Sequence, residues 1–188
     1  MIKIGITGSL ASGKTTASKI ISTKRGPLFS ADQAVKELYK NKYFKSLVSK
    51  RFKITNNNQI KRYLKKLILK NKDNIKKLER IIHPLVRKKM KRFTSKNRNK
   101  KFLFYEIPLL IESKLMKQFN VVIFIKAKKQ LRFKRFKSKK GDKKLFNLLN
   151  SKQMIDTQKI KFCDHVVVNE KNFNILKKNL LVIINKYV

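Results

Sequence analysis

Among 188 residues there is one cysteine, no tryptophan, three prolines and five glycines, and ten acidic side chains stand against 50 lysines and arginines. A single thiol, Cys163, excludes an internal disulfide framework and fits a reducing compartment. No apolar run approaches the roughly 20 residues that a bilayer-spanning helix needs. Met1 leads straight into an apolar segment, which leaves no room for a signal peptide. A cytoplasmic chain without a membrane partner is therefore expected. Scarce proline and glycine leave no linker-like stretch, and no internal repeat is present. The length suits one domain able to bury a substantial core, with space for a small inserted subdomain. Cys163, followed by Asp164-His165 and then Val166-Val167-Val168, has the surroundings of a structural thiol more than of a nucleophile.

The formal net charge of +40 points on its face to a polyanion partner. Its make-up points elsewhere. Lysine supplies 41 of the basic residues and arginine nine, although arginine is the usual reader of base edges and of bidentate phosphate contacts. The lysines are spread over every segment, alongside abundant Asn, Ile and Phe, as in a general compositional drift. Non-specific polyanion binding follows from such a charge, whereas specific nucleic-acid recognition does not.

What is present begins with Gly8-Ser9-Leu10-Ala11-Ser12-Gly13-Lys14-Thr15, which fits G-x-x-x-x-G-K-[ST]. Ile2 to Thr7 reads as a strand, and from Thr15 to Ser22 the apolar Ala17, Ile20 and Ile21 recur at helical spacing. A glycine-bearing turn from a strand into a helix N-terminus can cradle a triphosphate with backbone N–H groups and the positive end of the helix dipole. There Lys14 would reach the β/γ-phosphates and the Thr15 hydroxyl would bind Mg²⁺. Gly26 to Ser30 reads as a turn and short strand, and Ala31-Asp32 opens a helix to about Tyr39. Asp32 thus follows a strand's carboxyl end, where a side chain can face a ligand or cap the helix.

Residues 41 to 95 read as helices over 42–50, 59–70 and 73–93, with a loop at Thr55-Asn56-Asn57-Asn58, and have the look of a helical insert. Within them, Pro84 predicts a break at His83. The sheet resumes with Lys101 to Glu106, an apolar strand ending in a carboxylate that can hold Mg²⁺ directly or through water, or point to solvent. Ile107 to Glu112 follow, then a strand over Asn120 to Ile125, apolar throughout as in a parallel strand covered on both faces. Lys128 to Lys140 form a basic helix anchored by Leu131, Phe133 and Phe136, open to reading as a nucleic-acid face, a solvated helix or a lid over a phosphoryl group. A turn at Gly141-Asp142 precedes a helix over 143–160, and a last strand at Asp164 to Asn169 precedes a helix over Phe173 to Tyr187.

Taken together, Gly8 to Thr16, Ser30-Ala31-Asp32, Ile82-His83-Pro84, Pro108-Leu109-Leu110-Ile111-Glu112, Gln130 with Arg132 and Arg135, Gln153, and Cys163-Asp164 before Asn169 resemble the motifs of dephospho-CoA kinases, collinear over nearly the whole chain. The resemblance implies a three-layer α/β P-loop kinase fold: a five-stranded, mainly parallel sheet, a helical substrate-binding insert and a lid. The core would be about 1–40, 100–127 and 160–188, the CoA-side insert about 41–99, and the lid about 128–159. It implies transfer of the ATP γ-phosphoryl group to the ribose 3′-hydroxyl of dephospho-CoA, the last step of coenzyme A synthesis, with ATP and Mg²⁺ as cofactors. By the same resemblance Gly8, Ser9, Leu10, Ala11, Ser12, Gly13, Lys14, Thr15, Thr16 and Asn169 hold ATP, and Asp32 is the catalytic base. Lys14, Arg132 and Arg135 complete the catalytic set, and Thr15 and Glu106 serve the metal. Asp32, His83, Pro84, Arg87, Pro108 and Leu109 fall on the acceptor side. Ser9 and Ala11 stand where the family pattern has glycine, and Ser30 where it has aspartate. Two other readings of the residues are another P-loop nucleoside or nucleotide kinase and a basic nucleic-acid-binding protein with a vestigial nucleotide site. A substrate panel separates the first, and salt-resistant binding the second.

Overall fold

In the computed structural model, which describes residues 1–56, 59–71 and 73–187, strand β1 (Ile2–Gly8) is buried from Ile4 to Gly8 and takes the centre of a five-stranded sheet. Apolar side chains on both faces are what a strand covered on both sides requires. β1 pairs in parallel with β3 (Phe102–Glu106), Ile6 opposite Glu106, and with β4 (Val121–Lys126), Gly8 opposite Ile125. β2 (Leu28–Ser30) joins beyond β3 and β5 (His165–Val168) beyond β4, giving the order β2-β3-β1-β4-β5 with every pairing parallel. After β1 the chain goes to one side of the sheet for β2 and later to the other for β4. The carboxyl edge around β1 is therefore where strand order reverses, the position at which open α/β sheets form a ligand crevice.

On one face Ile4, Ile6, Phe102, Phe104, Val121, Ile123 and Ile125 pack with Ala17 and Ile21 of α1 (Lys14–Ser22) and with Leu176, Leu180 and Ile184 of the closing helix (Phe173–Ile184). On the opposite face Leu110 and Phe119 lie against Gly5, in a segment that includes a short 3-10 turn at Met116–Gln118. Contact there is close enough that Gly5 has no room for a side chain: a Cβ would lie 2.7 Å from Leu110 Cδ1. The Tyr105 and Phe119 rings meet edge-on, 5.2 Å between centroids.

The described chain forms two units, one of residues 1–30 and Asn97 onward, the other Ala31–Lys96. The second is all helix: α2 (Ala31–Leu38), α3 (Lys42–Phe52), α4 (Ile60–Lys70) and α5 (Asp73–Lys96). Its core is Leu38, Phe44, Val48, Ile54, Ile60, Leu64 and Leu78, and Asn41 caps α3 by accepting from the Phe44 N–H at 3.0 Å. Of the loop expected at Thr55-Asn56-Asn57-Asn58, the last two residues lie outside the described set.

Two expectations need correcting. The break expected at His83 is absent, because α5 runs unbroken through Pro84. Pro84 and Arg80 are both exposed, on the solvent side of the helix where losing one helical donor is tolerated, while Leu78, Ile81, Ile82, Leu85 and Val86 hold both sides of the proline against the core. The helix expected over 143–160 is two helices, α7 (Lys143–Ser151) and α8 (Asp156–Ile160), following the basic α6 (Lys129–Lys137). Residues 152–155 leave the helix because their polar groups are taken by other parts of the first unit: the Met154 N–H donates to Glu112 Oε1 at 3.1 Å, and the Gln153 side chain accepts from the Leu10 N–H at 2.8 Å.

Candidate active site

The loop from Gly8 to Gly13 is shaped by two positions that exclude a side chain. At Gly8 a Cβ would sit 2.4 Å from the Ile125 carbonyl oxygen. Gly13 caps α1 at φ 100°, in the left-handed region open to glycine, and a Cβ there would meet Asn169 Nδ2 at 2.1 Å. Ala11 is also left-handed, at φ 59°. The first helical bond of α1 runs from the Ala17 N–H to the Gly13 carbonyl at 3.0 Å, so the amides of Lys14, Thr15 and Thr16 lie ahead of any helical acceptor. These amides and the helix dipole form the anion-binding end of α1.

Within the loop, Lys14 is 7% exposed and its Nζ donates to the Ser9 carbonyl at 2.9 Å. The Ser12 hydroxyl is buried without a hydrogen-bond partner among the described groups, an unmet polar group suited to a phosphate oxygen. The Thr15 hydroxyl donates to Glu106 Oε1 at 2.5 Å. Glu106 ends β3, beside β1, which is why a residue 91 positions away in sequence reaches the start of α1. Among the described residues no cluster of three or more His, Cys, Asp or Glu could form an all-protein metal cage. One hydroxyl and one carboxylate still fit Mg²⁺, which keeps waters and takes its other ligands from substrate phosphates.

Arg132 and Arg135 both turn onto the loop. Arg132 is 6% exposed and donates through Nε to the Ala127 carbonyl at 3.2 Å, and through Nη1 to the Leu10 carbonyl at 3.3 Å and Asn150 Oδ1 at 2.8 Å. Burial lowers its pKa and the charge of Asp156 opposes that shift. Arg135 donates to the Ser12 carbonyl at 3.3 Å and to the Asn169 carbonyl at 3.0 Å, and Asn169 Nδ2 donates to the Ser12 carbonyl at 2.8 Å. α6 is fixed by its aromatic residues: Phe133 and Phe136 pack on Phe146 of α7 at 5.2 and 5.5 Å between centroids.

The structure thus gathers Gly8 through Thr16, Glu106, Arg132, Arg135 and Asn169 at one end of the sheet. Pro108 and Leu109 follow in the turn after β3, where the Pro108 carbonyl accepts from the Thr7 hydroxyl at 3.2 Å. Asp32, His83, Pro84 and Arg87 belong to the second unit. α2 begins at Ala31, so Asp32 is inside its first turn and not at the capping position before it. Arg87 lies four residues after His83 on α5, so the two share a helix face, with His83 half-buried and Arg87 exposed.

Other members of the site escaped the sequence reading. Asp156 accepts a hydrogen bond from the Ser9 hydroxyl. Lys159, fully buried, has its Nζ 2.7 Å from Glu112 Oε1. Asn150 holds Arg132. The available signal was scarcity, since in a chain with ten acids among 50 basic residues each retained carboxylate merits a search for its partner. Cys163 stays out of the chemistry: burial pushes its thiol up to about 12, and Sγ donates to the Lys159 carbonyl at 3.3 Å.

A parallel sheet whose central strand turns through such a loop into a helix beginning Lys14-Thr15 defines the P-loop kinase fold. Within that class one family spans nearly the whole sequence: the dephospho-CoA kinase family model matches residues 2–174, and the chain belongs to that family. A dephospho-CoA kinase of Bartonella quintana (strain Toulouse) is 34% identical over 174 residues, covering 90% of this chain and 89% of that protein. The structure of a dephospho-CoA kinase from Campylobacter jejuni is similar at a TM-score of 0.66 and 26% identity, over 98% of this chain and 96% of that one. TT1252 from Thermus thermophilus shares the fold at a TM-score of 0.82 and 24% identity, over 100% and 98% of the two chains.

Proposed function

We propose that the protein transfers the γ-phosphoryl group of ATP to the ribose 3′-hydroxyl of dephospho-CoA, giving coenzyme A and ADP. Family membership supports the acceptor. The observation that carries the donor half is the loop itself, with the buried Lys14, the unpartnered Ser12 hydroxyl and the Thr15–Glu106 pair around one helix N-terminus.

In this reading the loop amides and Lys14 bind the β- and γ-phosphates, for which Lys14 leaves the Ser9 carbonyl. Thr15 and Glu106 would hold Mg²⁺, Glu106 by way of water. A bound Mg²⁺ would supply charge neutralisation to the phosphates. Asp32 orients the acceptor hydroxyl and takes its proton as the ribose oxygen bonds to the γ-phosphorus and the bond from that phosphorus to the β-phosphate oxygen breaks, ADP departing. Arg132 and Arg135 screen the charge of the transferring group, exchanging protein carbonyls for phosphate oxygens within a lid of about 128–159. Asn169 supports the nucleotide beside Gly13. The helical unit is assigned to the CoA side, with His83, Pro84 and Arg87 as acceptor residues, and Pro108 and Leu109 of the sheet unit are assigned to the acceptor as well. The reaction is assigned to the cytoplasm, which the unpaired Cys163 supports; among the described residues no helix is long and apolar enough to cross a membrane.

The deciding experiment measures ADP release from ATP and Mg²⁺ at moderate salt with dephospho-CoA, nucleosides and nucleoside monophosphates as acceptors. Turnover with dephospho-CoA is expected. Turnover with a nucleoside monophosphate and none with dephospho-CoA would overturn the assignment.

A further inference from the structure

The crest of the phosphate loop, Ser9-Leu10, is held by groups far away in sequence. The Ser9 hydroxyl donates to Asp156 Oδ1, the Leu10 N–H donates to Gln153 Oε1 at 2.8 Å, and the Leu10 carbonyl accepts from Arg132 Nη1 at 3.3 Å. The strap carrying Gln153 and Asp156 is itself fastened below, where Met154 and Lys159 meet Glu112. Ser9 is the pivot: its side chain goes to Asp156 while its carbonyl accepts from Lys14 Nζ at 2.9 Å.

Ser9 stands where the family pattern has glycine, and its side chain is buried within the loop, 3% exposed. A serine hydroxyl has three staggered positions, and in a phosphate loop the undirected ones compete with the ligand for amides and for Lys14. A carboxylate acceptor fixes one of them through a charge-assisted bond. As a direct phosphate contact, a carboxylate has the wrong sign. Asp156 can therefore help nucleotide binding only through another residue: its charge acts on Arg132, but the hydrogen bond it accepts comes from Ser9, and only that route disappears when the hydroxyl is removed.

We infer that Asp156 is a positioning residue that holds the Ser9 hydroxyl out of the phosphate cradle, so that the loop admits a triphosphate despite a side chain at this position. The inference rests on the ATP reading above and predicts a specific non-additivity. Asp156→Ala should raise the KM for ATP roughly tenfold, the size of a lost charge-assisted hydrogen bond, with kcat and the acceptor KM changed less than about twofold. In a Ser9→Gly background, with no hydroxyl to hold, adding Asp156→Ala should move the ATP KM by less than about twofold. Asp156→Asn keeps an acceptor oxygen and should stay within about threefold of the parent.

The experiment is a steady-state ATP titration of the parent, Asp156→Ala, Asp156→Asn, Ser9→Gly and Ser9→Gly/Asp156→Ala, with melting curves beside it. A merely structural role would lower the melting temperature and add equally in both backgrounds. Equal effects of Asp156→Ala in the parent and in the Ser9→Gly background overturn the inference, as does a fall in ATP KM, which would make Asp156 only a repulsive charge. If Asp156→Ala does not fold, Asp156→Asn decides: a rise of tenfold overturns the claim that hydrogen-bond acceptance is what matters, and near-parent kinetics support it. An inactive parent would instead count against the proposed function, which keeps the two failures apart.

Discussion

The two units differ in how they use their few carboxylates. In the sheet unit each one accepts a hydrogen bond: Glu106 from Thr15, Glu112 from Met154, Asp142 from the Leu145 N–H, Asp156 from Ser9, Asp164 from the Val122 N–H and Glu170 from the Lys128 N–H. In the helical unit Asp32, Glu37 and Asp73 are exposed and Glu79 is half-buried, and Glu37 pairs with Lys89 on a neighbouring helix. At a net charge of +40 nearly every added acid would reduce self-repulsion, so overall charge balance does not explain where these ten stand. In the sheet unit they stand where a backbone turn, a strand end or the phosphate loop needs an acceptor. In the helical unit the exposed Glu37 and Asp73 behave as surface charge, with the exposed Asp32, under the proposed mechanism, as the exception.

The largest effects should come from that contrast. Lys14→Ala removes a buried cation from the loop and should lower kcat/KM by about 10³-fold. Unchanged turnover would remove the loop from the chemistry. Asp32→Asn, in the helical unit, should lower kcat by about 10²-fold with ATP affinity nearly intact, as for loss of a base. A change confined to ATP affinity would make Asp32 a metal-side residue and break the assignment of the acceptor to the helical unit.

Stability offers the next test. Glu112→Ala leaves Lys159, which has no exposed surface, without its carboxylate, and should cost about 3–5 kcal/mol in urea melts. Glu37→Ala breaks a pair of the same charge type whose side chains are 35% and 49% exposed, and should cost about 0–1 kcal/mol. The Lys89 hydrogen bond holds the Glu37 carboxyl below its ordinary 4.5. A depressed carboxyl stabilises the fold above its unfolded value and loses that contribution as pH falls through the folded one. The difference between Glu37→Ala and the parent should therefore close as pH is taken below the carboxylate range. Equal costs for Glu37→Ala and Glu112→Ala at neutral pH would show that burial is not what separates the units.

Legibility in the sequence followed contact range. The phosphate loop is a local pattern, eight consecutive residues between a strand and a helix, and apolar runs such as Val121 to Ile125 announce buried parallel strands. The helices of the second unit were readable from spacing because their apolar faces are continuous, as at Leu64, Leu67 and Ile68. The Pro84 rule failed because a local preference yielded to packing on both sides of an exposed ring. The break at 152–155 carries no glycine or proline, and its cause is bonding to Leu10 and Glu112, groups 143 and 42 positions away. Asp156 was invisible for the same reason: its partner is 147 positions distant, and no spacing rule links them.

One strain is common to both units. Ala11 in the phosphate loop has φ 59° and Lys53, which ends α3, has φ 53°, each a left-handed residue that carries a Cβ. That conformation costs roughly 1–2 kcal/mol for an L-residue, while glycine adds unfolded-state entropy of about 0.4–1 kcal/mol. Ala11→Gly and Lys53→Gly should therefore each stabilise by about 0.5 kcal/mol, a rise of roughly 1–2 °C in melting temperature. The kinetics should differ where the stabilities agree. Lys53→Gly touches only a helix end and should leave the ATP KM unchanged, whereas Ala11→Gly loosens a segment between the tethered crest and Gly13 and should shift it. An equal shift in ATP KM from both substitutions would mean that the helical unit's backbone is coupled to nucleotide binding, and the proposed division between an acceptor-side unit and a phosphate-side unit would not stand.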